Sequence, residues 1–392
     1  MLAAQILSML GFATFSALLP DLRDAWRLSN SEAGLIGGMF FGGYVVTVTW
    51  WTSLTDRVDG RRVYFAGALT AAAGAAGFGL LAQGLWSAIL FQLLLGAGVA
   101  GTYMPGLRLL SDRIEGPSQS RYVAFYTSFF GVGTALSIAI AGWVAPAFGW
   151  RAAFFASAAG PLAAGLLVMF GVPAVRGATV AATRATFAAL RNVLRNRAAV
   201  GYILGYTVHC IELFGSRAWM VAFLAYSAGL QAAGGDAWSA TAIAAAVNLL
   251  AVPSSIIGNE IALRIGRLRW IVMAMAASGA LGALLGVCAS WHWLLVSALL
   301  TAYSLMVMAD SATLTAGLIE SARPAERGAT MGVYSLVGFC GGLLGPALFG
   351  GALDLAGGAA SVLAWTVAYA AIGAGGLLAI PFLRVAARRS NP

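Results

Sequence analysis

Residues 52–62 read T-S-L-T-D-R-V-D-G-R-R, a dense cluster of charge between two long apolar runs. A fainter copy, G-N-E-I-A-L-R-I-G-R-L-R, occupies residues 258–269. Gly266 stands 206 positions after Gly60 (266 − 60), and the same shift carries Arg61 onto Arg267 and Arg121 onto Arg327, each of the last two opening a further apolar run. The chain therefore reads as two similar halves in tandem. Weak internal symmetry of this kind marks chains assembled from repeated structural units.

The composition names the solvent. Hydrophobic residues make up 60% of the 392 and charged residues only 9%, against about 25% charged in an average soluble domain. The mean hydropathy is +0.85. A membrane span needs about 20 mainly apolar residues. Runs of that length are predicted over 3–20, 31–54, 63–83, 87–110, 121–147, 151–173, 197–229, 237–262, 269–289, 292–318, 327–353 and 359–383. They are too long for the alternating strands of an outer-membrane barrel, so they are read as helices. The expectation is an all-α membrane protein with 12 transmembrane helices in two pseudo-symmetric six-helix bundles, residues 1–173 and 197–392, joined by a linker at 174–196. The linker's spaced arginines fit a short amphipathic helix on the membrane surface and fit a solvated connector equally well.

A net charge of +9 does not make a nucleic-acid binder here, because the basic residues are spread over loops and form no single face. All 23 are arginine, so the chain lacks the lysine that a phosphate-loop ATPase motif requires. Cys210, Cys288 and Cys340 have no disulfide or zinc spacing, and no metal site or cofactor is implied. No nucleophile–base constellation argues for an enzyme, and the only two histidines are far apart. The opening run has no basic n-region and reads as a first span, not a cleaved signal. Arginines crowd the even-numbered connections (Arg57, Arg61, Arg62; Arg113, Arg121; Arg176, Arg184, Arg191, Arg195, Arg197; Arg264, Arg267, Arg269; Arg323, Arg327) and the tail (Arg388, Arg389). The odd connections hold only Arg23, Arg27 and Arg151. Both termini are thus expected in the cytoplasm, with a bacterial inner membrane as the setting. Trp86, Trp150, Trp238, Trp291 and Trp293 stand near run ends, where an interfacial belt belongs.

Ionisable residues within spans are costly and usually face a cavity. The seventh run, G-Y-T-V-H-C-I-E-L-F-G-S-R-A-W over residues 205–219, carries His209 and Glu212 three residues apart on one helix face, and Arg217 beyond them. Asp310 is the acid of the tenth run. Glu212, Asp310 and His209 are the candidates for proton exchange, with a structural pairing of Glu212 as the alternative. Arg217 and Arg108 are the intramembrane cations, and a guanidinium facing a desolvated cavity suits an oxyanion. Arg108 reads equally as a partner of Asp56 or Asp112, and Arg217 as a side chain reaching outward. Tyr44, Thr47, Tyr103, Tyr126, Trp219, Asn248, Tyr303 and Tyr334 are further polar or aromatic candidates inside spans. His292, between two tryptophans, reads as interfacial.

With these residues in view, the whole chain resembles the major facilitator superfamily. The marker is the loop between helices two and three, typically G-x-L-x-D-R-x-G-R-R/K, matched here by Leu54, Asp56, Arg57, Gly60, Arg61 and Arg62. Thr52 replaces the first glycine and one extra residue precedes Gly60; the second copy keeps Gly258 but has Ala262 in the aspartate's place. Gly149-Trp150-Arg151 at the sixth helix, and Arg121 and Arg327 after E-G-P-S-Q-S and R-P-A-E, support the resemblance. It implies gating roles for Asp56, Arg57, Gly60, Arg61, Arg62, Gly266 and Arg267. Asp56 is expected to act as a cytoplasmic latch between the halves, set against the dipole of a neighbouring helix; the plainer alternative is that these charges only set topology. The fourth helix has Gln92 before Gly96 where drug exporters carry an arginine, and the fifth lacks their glycine–proline pair. The resemblance implies a monomer in the lipid bilayer that carries a small anionic molecule with or against protons. Proton-driven efflux of drugs or metabolites is the second reading, and a non-transporting sensor or scaffold the third.

Overall fold

The computed structural model describes residues 1–114, 118–174, 187–231, 239–323 and 326–387. Arg176, Arg184, Trp238, Arg388 and Arg389, and Pro117 and Pro324 of the two motif strings, lie outside the described residues. Among the described residues the regular secondary structure is helical. In chain order the helices are α1 (Leu2–Ser8), α2 (Thr14–Ala17), α3 (Leu19–Trp26), α4 (Asn30–Leu54), α5 (Gly60–Leu81), α6 (Leu85–Ser111), α7 (Ser118–Phe148), α8 (Trp150–Gly171), α9 (Phe187–Arg195), α10 (Arg197–Leu230), α11 (Ala240–Ala251), α12 (Ser254–Ile265), α13 (Arg267–Val287), α14 (Trp293–Ala309), α15 (Ser311–Ser321), α16 (Arg327–Leu355) and α17 (Val362–Ala387). Among the described residues, ten helical segments are long and apolar enough to cross a membrane. Large apolar side chains such as Trp143, Phe170 and Leu355 stand on the outside, a surface suited to lipid and not to water.

Three of the expected runs are interrupted, and each break has a local cause. The first divides into α1, α2 and α3, and Ser137 of α7 occupies the gap. Its hydroxyl donates to Leu10 O (2.7 Å) and accepts from Ala13 N–H (3.0 Å), replacing intrahelical bonds that the unwound turn cannot make. The eighth run breaks before Pro253, which has no N–H to continue the ladder. The tenth breaks at Asp310, where the Trp270 indole N–H donates to Ala309 O (2.9 Å) and Ser255 Oγ accepts from Ala312 N–H (3.1 Å).

The described helices form two compact units. The first draws on Met1–Leu28, Leu35–Ala182 and Trp238–Val252; the second on Ser29–Gly34, Thr183–Ala237 and Pro253–Pro392. The first turn of α4 thus groups with the second unit, and α11 with the first. Within the first unit, Gly96 lies against the backbone of Phe40, and Gly98 against Ala71, so α4, α5 and α6 touch main chain to main chain. Gly341 and Gly345 do the same for α16 against α10 in the second unit. Such contact replaces the water-driven packing that a bilayer cannot supply. In the linker, α9 buries Val193 against Ala199, Ile203, Leu318 and Tyr334 while Arg191, Leu194 and Arg195 stay exposed.

Candidate functional site

The intramembrane charges of the second unit meet on α10. Because α10 is unbroken over 34 residues, helical spacing alone holds His209 and Glu212 on adjacent positions of one face. The break between α14 and α15 brings Asp310 to them. His209 Nδ1 lies 2.7 Å from Asp310 Oδ1, and both side chains are only 2–3% exposed. The contact is at ion-pair distance but off the hydrogen-bond line, and neither Asp310 Oδ1 nor His209 Nε2 has an aligned partner. The Tyr206 ring stacks between His209 (5.6 Å) and Tyr334 (4.0 Å). The Tyr334 hydroxyl in turn shares a 2.8 Å hydrogen bond with Thr315.

Glu212 turns toward α13, α14 and α17. Its Oε2 accepts from Ser278 Oγ–H at 3.0 Å, while Oε1, beside Gly373, has no hydrogen-bond partner among the described residues. Buried polar atoms are almost always paired; among the described residues Glu212, Asp310, His209, Tyr303 and Thr313 each keep a buried side-chain atom with no hydrogen-bond partner.

Arg217 is half-buried on α10. Its Nη2–H donates to Met308 Sδ at 3.6 Å, a weak acceptor, and it joins none of the ion pairs among the described residues. Arg108 is different: it pairs with Asp56, donates to Thr55 Oγ1 (2.7 Å) and lies 3.7 Å from Asp112. Asp56 is therefore engaged by α6 inside the first unit. A guanidinium offers Asp56 directed, charge-assisted bonds.

The remaining candidates are placed as follows. Trp219 is fully buried, stacks on Phe349 (5.6 Å) and donates its indole N–H to Pro346 O (3.0 Å). Tyr303 is fully buried against Gly282 and Tyr369. In the first unit, Tyr126 donates to Tyr103 O (3.0 Å), Tyr103 lies half-buried against Phe130, and Asn248 donates to Ala244 O (2.9 Å). Arg57 and Arg62 are exposed. Asp59 caps α5, accepting from Arg61 N–H (3.0 Å) and from the Arg61 guanidinium (2.7 Å), which holds its carboxyl below the usual range. Arg61 also donates to Val172 O (3.0 Å), tying α5 to the end of α8. Gly266 joins α12 to α13 at φ 96°, a conformation favouring glycine, and Arg267 pairs with Glu320. Tyr206, Ser278 and Met308 complete the cluster without having been singled out by sequence. Tyr206 is three residues before His209 on the same face, a spacing that pointed to it.

A sequence profile of the Major Facilitator Superfamily matches residues 1–346. The chain belongs to the Major Facilitator Superfamily. Among proteins it is similar to, the niacin transporter NiaP of Acinetobacter baylyi is 29% identical over 137 residues, covering 35% of this chain and 31% of that protein. The 4-hydroxybenzoate transporter PcaK of the same organism is 25% identical over 161 residues (41% and 35%). A probable 4-methylmuconolactone transporter of Cupriavidus pinatubonensis is 28% identical over 149 residues (36% and 34%). The matches span about a third of the length of these relatives. Two solved structures share the fold of this Major Facilitator Superfamily chain. A bacterial homologue of the human lysosomal transporter Spinster, inward-facing and unoccupied, has a TM-score of 0.74 at 16% identity, covering 99% of this chain and 94% of that one. The nucleoside transporter NupG has 0.75 at 15%, covering 98% and 99%. The protein is a multi-pass integral membrane protein.

Proposed function

We propose that this protein is a secondary active transporter that moves a small organic anion in exchange or in company with protons. Twelve helices in two six-helix bundles, residues 1–173 and 197–392, alternately open a shared site near the bilayer midplane. The protein works as a monomer in a bacterial inner membrane with both termini in the cytoplasm. Family membership supports transport rather than catalysis. The observation that carries the anionic substrate is Arg217: a guanidinium within a span, with no carboxylate partner among the described residues, leaves a positive charge that a bound anion would neutralise. The named substrates of the partial relatives, niacin, 4-hydroxybenzoate and 4-methylmuconolactone, support small organic acids. Glu212, Asp310 and His209 are the proton-exchanging groups, supported by their burial and unpaired atoms.

The test is ligand-dependent stability of the purified protein. A ligand that binds only the folded form raises its melting temperature. Small carboxylates are expected to do so and lipophilic cations are not; Arg217→Leu should lose the response while keeping or raising the basal melting temperature, because an uncompensated charge is gone. In proteoliposomes, Glu212→Gln is expected to retain substrate binding and lose substrate-driven proton movement. Stabilisation by cations alone, or by carboxylates equally well in Arg217→Leu, refutes the reading.

A further inference from the structure

The N-terminus of α4 is closed by two different devices. Ser29 and Glu32 form a capping box: Glu32 Oε2 accepts from Ser29 N–H (2.8 Å), and Ser29 Oγ accepts from Glu32 N–H (3.2 Å). This satisfies the first and last amides of the turn and leaves those of Asn30 and Ser31 between them. Both go to one carboxylate near the end of α16. Asp354 Oδ1 accepts from Asn30 N–H (3.2 Å) and Asn30 Nδ2–H (2.7 Å), and Oδ2 accepts from Ser31 N–H (2.7 Å) and Ser31 Oγ–H (2.6 Å). All four donors thus come from a single helical turn. The negative charge also sits on the positive end of α4. Around these bonds Gly350 meets the backbone of Asn30, and Gly34 meets the backbone of Pro346.

This turn, Ser29–Gly34, belongs to the second unit, whereas the same helix from Leu35 onward belongs to the first. Helix α4 is continuous across that division. A movement of this first turn away from α16 breaks all four bonds to Asp354 at once. The contact lies at the end of α4 remote from the charged 52–62 segment. It has no copy in the repeat, because Phe148 stands 206 positions before Asp354 (354 − 206).

We infer that Asp354 is a gating residue whose four hydrogen bonds to the first turn of α4 hold this end of the transporter closed, and that their release opens it. The inference rests on the transport reading above. Its test needs no substrate. Gly351 faces Ser31 Oγ at 3.9 Å from where a Cβ would stand, ordinary van der Waals distance, so Gly351→Cys places a thiol beside the latch in a Cys340→Ala background. With a polar maleimide, Asp354→Ala should raise the labelling rate about tenfold, equal to about 1.4 kcal/mol. Asp354→Asn, which keeps the shape and one acceptor, should give a smaller rise with an unchanged gel-filtration profile. Glu32→Gln, which touches only the capping box, should stay within about twofold of the parent. A rate in Asp354→Ala within about twofold of the parent, or an equal rise in Glu32→Gln, overturns the latch. A wild-type protein that binds no organic anion refutes the transport reading and leaves the labelling result standing.

Discussion

The pair Asp56–Arg108 has a built-in control in the other half of the chain. A shift of 206 carries Asp56 onto Ala262 and Arg108 onto Leu314, and both of these are buried, at 1% and 0% exposure. The same helix position therefore accepts a charged pair in one repeat and two apolar side chains in the other. We expect Arg108→Leu alone to be the costlier single change, because Asp56 loses its sole side-chain partner among the described residues. Asp56→Ala leaves Arg108 its Thr55 bond at 2.7 Å and Asp112 at 3.7 Å. The paired side chains are 28% and 25% exposed, which puts the interaction between a surface pair, worth about 0.2–1 kcal/mol, and a buried pair, whose disruption costs about 3–5 kcal/mol. Arg108→Leu should then cost about 2 kcal/mol and Asp56→Ala about 1 kcal/mol, with the double variant, copying Ala262 and Leu314, costing about 1 kcal/mol. Reversible unfolding of the four proteins in mixed detergent micelles gives the cycle. Single effects that add to the double effect within about 0.5 kcal/mol refute the argument that the two charges stabilise chiefly through one another.

Two further outcomes follow from local geometry. Gly96→Ala puts a methyl against the Phe40 carbonyl and main chain, and should destabilise by about 2 kcal/mol or more; Gly229→Ala, on a helix with open space at that point, should be neutral or stabilise by up to about 1 kcal/mol. Equal unfolding midpoints for the two contradict the close main-chain packing of α4 on α6. Asp59 carries a pH dependence. Its carboxyl is held low, chiefly by the Arg61 side chain, so its cap on α5 is fully present above the unfolded pKa of about 4 and is lost as pH falls through the lower native value. Asp59→Ala should cost about 1 kcal/mol at neutral pH, and the gap between parent and variant should close on acidification below about pH 4. A gap that stays constant to the lowest pH contradicts the cap.

Much of the architecture was open to reading along the chain. Predicted runs such as 31–54, 63–83 and 151–173 match α4, α5 and α8 to within a few residues, because a long apolar stretch in lipid has one way to satisfy its backbone. The interruptions were less legible. Pro253 announces its own break, but the unwinding after Ser8 depends on Ser137, more than a hundred residues away, and the kink at Asp310 on Trp270 and Ser255. The S-N-S-E string at 29–32 signals a capped helix start. Nothing near it names Asp354 as the second cap.

What the sequence determined by itself is the membrane class, most of the apolar runs and the residues whose burial in lipid demands a reason. These depend on hydropathy and spacing, which are properties of position along the chain. Only the tertiary structure decided who meets whom: Arg108 with Asp56, His209 with Asp310, Asp354 with α4, and Arg217 with Met308. A charge states that it needs a partner, but which one it obtains depends on how far each helix is turned about its axis and which neighbour its glycines let approach.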